Sequence, residues 1–594
     1  MTVHHRRRRA ASLIAVAALG LSGQAVAGGL GSPATAAPAE DCASSVPVSE
    51  VTDGESVTGL TVTRGTTPVG FTGEVLGVLE DGIAPDVDMI MAELEMPEFA
   101  RTGGIWQGMS GSPVYAADGR LIGAVAYGLS FGASPIAGIT PYAEMDDLLA
   151  AEAPAERIAL RGDDAREVAD RADITPAQAS RGFTPLPLPL SVSGVAAGRL
   201  ARVQADGPEF LQRAAAGGGT ASAAAADADT IVAGGNLAAS AAYGDVSFAG
   251  VGTATSVCEG RVVGFGHPMA FLGTTTMGLH PASALFVQPE SVGAPFKVAN
   301  VAPPVGTITD DRTTGIAGAF GPVPRATDVT STVTYDGSSR TGGTDVFVED
   351  FLPDIALYQT LVNQDRVVDG PARGSELLTW TVTGSEGDEP FELSYTDRWS
   401  GRDLAFETAI SLAETAYSLR DIEGVSIDSF TTDADVDDDQ RTHTLDAVQQ
   451  RRDGRWRTVT RKAPAVARAG GNVALRLVLD GTAGRRVIPL APVAVPKRAR
   501  GPLVLSVQGG DGGWSMLSGS TVDEVRTSLD SQLRHDQLRV QLGTPDKVDR
   551  AYGGDDFFFL GFERGARLSF VRTRTTEPQS HVVSGTRNLR VRLR

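Results

Sequence analysis

Gly104-Ile105-Trp106-Gln107-Gly108-Met109-Ser110-Gly111-Ser112-Pro113 contains a G-x-S-G-x-P turn. A hairpin pattern follows it: Val114-Tyr115-Ala116, the turn Ala117-Asp118-Gly119-Arg120, then Leu121-Ile122-Gly123-Ala124-Val125-Ala126-Tyr127. Small residues around Ser110 let the backbone bend until the amides of Gly108 and Ser110 point at one spot, with Ser110 Oγ beside it. Two convergent N–H donors next to a hydroxyl are what a developing oxyanion and its attacking atom require.

The surrounding chain reads as β-structure. Of 594 residues, 70 are Gly and 33 Pro, which favours sheets with many turns over helical bundles. Gly59–Thr63, Phe71–Leu79 and Asp88–Leu94 are short strand-like runs upstream of the serine, and Pro141–Ala151 reads as a short helix. Residues 152–185 are polar and Ala-rich, as in a linker. Residues 213–241 are Ala/Gly-rich and read as a flexible loop. A second β-rich block starts near Gly244 and carries a hairpin, Val251–Val257 and Arg261–Phe265, across Glu259-Gly260. These divisions predict a leader over 1–36, a serine-bearing half over 42–150, a linker over 151–185 and a second half over 186–336. A β-rich, sandwich-like accessory domain follows over 337–500, with one helix near 403–419. A small α+β piece covers 501–594, with a helix around 521–533. The fold class is mainly β.

The N-terminus has the pattern of an export signal. Arg6–Arg9 form a basic start, Ala10–Ser22 an apolar run too short to span a bilayer, and Ala25-Val26-Ala27 and Ala34-Thr35-Ala36 are small-x-small cleavage candidates. No later apolar run is long enough for a membrane helix, so the expectation is a secreted or envelope-associated chain without an integral span. Cys42 and Cys258, an even pair in such a chain, are the disulfide candidates. The formal net charge of −20 argues against nucleic acid as a partner. The run Asp433, Asp435, Asp437, Asp438, Asp439 raises the idea of calcium. An EF-hand loop would need Gly and Glu where Asp438 and Thr444 stand, so a solvated loop is expected, and no Cys/His spacing suggests zinc. No metal and no cofactor is expected.

A nucleophilic serine needs a proton acceptor. Beyond the leader the histidines are His267, His280, His443, His535 and His581. His267, in the glycine-flanked strand end Gly264-Phe265-Gly266-His267-Pro268, is the first candidate, and His280, in Gly278-Leu279-His280-Pro281, the second. The carboxylates upstream of the serine are Asp88, Glu93, Glu95 and Glu98, which spacing alone does not rank.

The run T-G-G-I-W-Q-G-M-S-G-S-P-V-Y, with D-G-R-L-I-G-A-V-A-Y after it, resembles the SpoIVB peptidase family, serine peptidases of the two-barrel chymotrypsin-like type. The resemblance covers roughly residues 45–335. It implies that Ser110 is the nucleophile and that His267, following the hairpin Gly252-Thr253-Ala254-Thr255, is the base. It also implies that the acid fifteen residues before the serine, Glu95, orients the imidazole; the family's founding member has Asp there. Ser112, where such turns usually carry a second glycine, is then structural. The order departs from the family's, because the serine half comes first and His267 follows Ser110 by 157 positions. Chain order is immaterial to a triad, which is defined in space. The implied activity is that of an exported serine endopeptidase acting on a protein or peptide, the chain itself among the candidates. The alternative is a secreted binding or scaffolding protein that keeps the fold without the chemistry.

Overall fold

A computed structural model of the chain describes residues 42–130, 132–147, 157–186, 191–193, 195, 198–201, 215–216, 219–220, 224–289, 295–511, 517–548 and 569–594. The N-terminal leader reading lies outside the described residues. So do parts of the Ala/Gly-rich stretch before Asp227.

The first barrel is built from β1 (Ser56–Thr61), β2 (Val69–Ala84), β3 (Val87–Glu95), β4 (Pro113–Tyr115), β5 (Leu121–Leu129) and β6 (Ile136–Pro141). The hydrogen-bonded order β1-β2-β3-β6-β5-β4 closes on itself through β4 and β1, all antiparallel. A closed barrel leaves no free edge. Every residue of β5 is buried, because one face fills this barrel and the other meets further structure. Val57, Phe71, Ile90, Val114, Val125 and Ile139 share one core inside it.

The second barrel uses the strands Asn236–Gly244, Ser247–Cys258, Arg261–Gly264, Gly273–His280, Gly306–Arg312 and Gly315–Phe320, again closed and antiparallel. Its first strand, N-L-A-A-S-A-A-Y-G, comes from the end of the stretch that composition reads as a flexible loop. It is instead a buried strand. Its alanines are small because neighbouring strands and the second core press on both faces. Mainly β structure with two six-stranded barrels is therefore the architecture of the first part of the chain.

Beyond the barrels, strands within Thr327–Val346 and Gly374–Asp437 form a five-stranded sheet that joins the second barrel where Ala242 faces Val346. The helices Leu352–Val368 and Leu404–Arg420 pack in its core. The first of these is not legible as a helix, since it has no exposed polar face. Gln359, Thr360, Asn363 and Gln364 are all buried and hydrogen-bonded, Asn363 donating to the Ser331 carbonyl at 2.7 Å and Gln364 to Glu376 at 2.9 Å. The last part holds two five-stranded sheets with a common core running from Leu445 to Val591. The boundary expected at 337 therefore falls inside a hairpin, where Tyr335 pairs Ser338, and the one at 500 falls inside a shared core. Asp433, Asp435 and Asp437 are not a loop. They form the exposed face of the strand Val425–Asp437, with Ala434 and Val436 buried between them, the alternation of a half-buried strand.

Candidate active site

The serine turn lies between β3 and β4, where the first barrel touches the second. Gly111 has φ +93°, and a Cβ there would stand 1.9 Å from the Thr253 carbonyl oxygen and 2.5 Å from the Phe265 nitrogen. Only glycine fits both the left-handed backbone and the contact. The second barrel holds the turn from outside. Thr253 N donates to the Ser110 carbonyl (2.8 Å), Thr253 Oγ1 to that of Gly108 (3.2 Å), and Thr255 Oγ1 to that of Gly111 (2.8 Å). The two threonines of the G-T-A-T hairpin are thus a clamp on the serine turn.

The amides of the turn divide sharply. Gln107 N donates to the Pro295 carbonyl (2.8 Å), Met109 N to that of Trp106 (3.0 Å), Gly111 N to that of Val125 (2.8 Å) and Ser112 N to that of Met109 (3.0 Å). Among the described residues no acceptor meets the N–H groups of Gly108 or Ser110. These are the two amides named from the sequence as oxyanion donors.

His267 follows the strand Arg261–Gly264 of the second barrel. Its Nε2 lies 2.9 Å from Ser110 Oγ, and its Nδ1 lies 2.8 Å from the Pro268 carbonyl oxygen. The carbonyl can only accept, so Nδ1 carries the proton and Nε2 presents a lone pair to the serine hydroxyl; the tautomer is assigned from this network. The Gly266 carbonyl accepts from Thr140 Oγ1 of the first barrel at 2.6 Å, tying the histidine loop across the interface. Burial pushes the imidazole down to about 4, against the favourable backbone contacts of Pro268 and Leu186. Both side chains are enclosed, His267 being only 3% exposed and Ser110 fully buried.

Glu95 is not brought to His267. It stands exposed at the end of β3 opposite Thr72 and lines a surface groove of about 930 Å³ that neither Ser110 nor His267 borders. Neither described hydrogen bond of the imidazole goes to it. Asp88, Glu93 and Glu98 likewise have other partners: Asp88 accepts from Asp81 N, Glu93 from Arg171 and Glu98 from Arg101. A buried carboxylate that sequence reading missed, Asp311, stands behind the histidine loop. Asp311 is fully buried and accepts from the amides of Met269 (2.7 Å), Ala270 (2.9 Å) and Leu272 (3.2 Å). The Met269 amide and the Pro268 carbonyl belong to one peptide group. That group therefore accepts from His267 on one side and donates to a carboxylate on the other. Burial raises the Asp311 carboxyl and these amides oppose the rise. Asp311 stands beside Asp310 in a strand of mixed burial, so no local signal separates it from a surface acid.

His280 belongs elsewhere. Its Nε2 meets Ser240 Oγ at 2.7 Å and its Nδ1 the Ala302 carbonyl at 2.8 Å, inside the second barrel. Ser112 is buried, and its hydroxyl has no partner among the described residues. Cys42 and Cys258 form a disulfide that ties the N-terminal segment to the second barrel. Among the described residues no cluster of His, Cys, Asp and Glu could hold a metal ion, and no helix is long and apolar enough to cross a membrane. Residues 17–144 match the family model described as SpoIVB peptidase S55, a span that ends before His267. No curated protein and no solved structure matches the chain.

Proposed function

We propose that this chain, a serine peptidase of the SpoIVB peptidase S55 family, hydrolyses peptide bonds outside the cytoplasm through an acyl-enzyme on Ser110. The observation that carries the reading is the 2.9 Å approach of His267 Nε2 to Ser110 Oγ across two barrels. That separation is hydrogen-bond reach, the condition for proton transfer.

Ser110 Oγ attacks the substrate carbonyl carbon as its proton passes to His267 Nε2. The carbonyl oxygen, now negative, accepts from the amides of Gly108 and Ser110, where each such donor contributes about 3–4 kcal/mol to the barrier reduction. His267 then gives the proton to the departing amine, the C–N bond breaks, and the acyl group stays on Ser110 Oγ. Water repeats the sequence and releases the acid. Pro268 holds the imidazole through a neutral carbonyl, and Asp311 holds that carbonyl's peptide group. Export is supported by the disulfide, which persists in oxidising compartments, and by the N-terminal pattern of basic and apolar residues.

The test is fluorophosphonate labelling mapped to its site. Ser110 becomes labelled in the native chain, Ser110→Ala abolishes labelling, and His267→Ala slows it at least 100-fold. A folded chain that never labels at Ser110 overturns the assignment.

A further inference from the structure

The buried nucleophile poses a question, since a peptidase has to admit its substrate. A segment of the chain itself runs along the strand beside the serine turn. After β5 passes the serine turn, its end pairs antiparallel with β7 (Phe183–Pro185): Leu129 faces Phe183, Gly128 faces Thr184 and Tyr127 faces Pro185. The next residue, Leu186, donates its N–H to the Ala126 carbonyl at 2.9 Å. Ala126 in turn lies beside the histidine loop: a Cβ on Gly266 would stand 2.8 Å from Ala126 Cβ, and the ring of Tyr127, the next residue of β5, meets the His267 ring edge-on with centroids 6.5 Å apart. An extended peptide added to a sheet edge, gripped by main-chain hydrogen bonds and read through side-chain pockets, is a general mode of peptide recognition.

The side chain is seated as well. Leu186 is 4% exposed and belongs to the apolar core that also holds Ile105, Trp106, Met109 and Val287. A Cβ on Gly128 would stand 2.8 Å from Leu186 Cδ2 and 3.3 Å from Ile105 Cδ1, so the glycine is the floor that gives the leucine room. The segment is also anchored upstream, where Phe183 and Ile158 exchange both backbone hydrogen bonds at 2.8 Å.

We propose that Phe183–Leu186 is a built-in occupant of the acyl side of the substrate cleft, which holds the peptidase closed and shows its substrate to be an extended segment with an unbranched-Cβ aliphatic residue such as Leu immediately before the bond attacked. This rests on the peptidase assignment above and adds regulation and specificity to it. Opening requires the strap to leave β5, and a competing substrate or a partner that draws the strap away would switch the site on.

The experiment compares fluorophosphonate labelling rates at Ser110 in the native chain and in Leu186→Asp, whose carboxylate cannot stay in the apolar seat. Labelling is expected to be at least tenfold faster in the variant. The peptide aldehyde acetyl-Phe-Thr-Pro-Leu-H should protect the variant from labelling, and acetyl-Phe-Thr-Pro-Lys-H should not. If Leu186→Asp loses its cooperative thermal transition, the same comparison is read from Leu186→Gly. Equal rates in native and variant chains overturn the strap, and equal protection by the two aldehydes overturns the specificity. If neither folded chain labels, the peptidase assignment itself fails and this proposal falls with it.

Discussion

At the scale of single residues the chemistry depends on where one carbonyl points. His267 Nδ1 rests on the Pro268 carbonyl, and the amide of that same peptide group rests on Asp311. The expectation is that Asp311 acts as a positioning residue. Asp311→Asn keeps the shape but offers an NH2 group to amides that can only donate, so some of the three bonds from Met269, Ala270 and Leu272 are lost. The expected outcome is a 10- to 100-fold fall in kcat with KM changed less than threefold, because the loop aims the imidazole rather than the substrate. Steady-state kinetics on a peptide substrate checks it. A rise in KM at constant kcat would show that Asp311 shapes the cleft instead. Glu95→Gln, by contrast, should leave kcat within twofold, since Glu95 is exposed and has no contact with His267.

At the scale of elements the two barrels cooperate through one hairpin. Thr253 and Thr255 lie in the strand Ser247–Cys258 and bond the Gly108 and Gly111 carbonyls of the other barrel. Thr255→Val is close to isosteric and leaves the buried Gly111 carbonyl without that donor. The expected loss is about 1–3 kcal/mol of stability, read from urea unfolding, with slower labelling of Ser110 because the turn is no longer held. The disulfide works on the same assembly at longer range. It closes a loop between residues 216 positions apart, for which the chain-entropy model gives about 5 kcal/mol and typical measurements about 2–4. Cys42→Ser paired with Cys258→Ser should lower the thermal midpoint accordingly. An unchanged midpoint would mean that the N-terminal segment contributes little to holding the barrels together.

At the scale of the whole molecule, buried titratable groups set how stability follows pH, and they pull in opposite directions. His267 and His280 have folded pKa values near 4, below the ordinary 6.5, owing to burial. Between those values the unfolded chain binds more protons, so this contribution is lost as pH falls from about 6.5 to 4. Glu376 is buried beneath the helix layer, and burial raises it from 4.5 to about 7, against the hydrogen bond from Gln364. There the folded chain holds the proton more tightly, so its contribution is lost as pH rises from about 4.5 to 7, by about 1.4 kcal/mol per pH unit. Glu376→Gln removes only the second effect. Relative to the native chain it should gain stability at pH 7.5 and gain little at pH 4.5, as measured by denaturant midpoints at the two pH values. The same difference at both would show that the carboxyl does not titrate in this range.

The primary structure by itself determined the serine turn, the histidine strand end, the cysteine pair and the prevalence of β-strands. These are local signals: glycines where the backbone must bend or meet another chain segment, and short strand runs between turn residues. Tertiary structure alone decided which carboxylate stands behind the imidazole. Glu95 and Asp311 are equally plain in the sequence, and only the meeting of the Gly306–Arg312 strand with the loop after His267 separates them. It also decided that the helix Leu352–Val368 exists with a buried polar face, and that an Ala-rich stretch serves as a barrel strand, because packing from both sides erases the periodicity by which elements are recognised. The seating of Leu186 against Gly128 belongs to the same class. A contact between positions 58 apart is a property of the folded chain, and no local pattern encodes it.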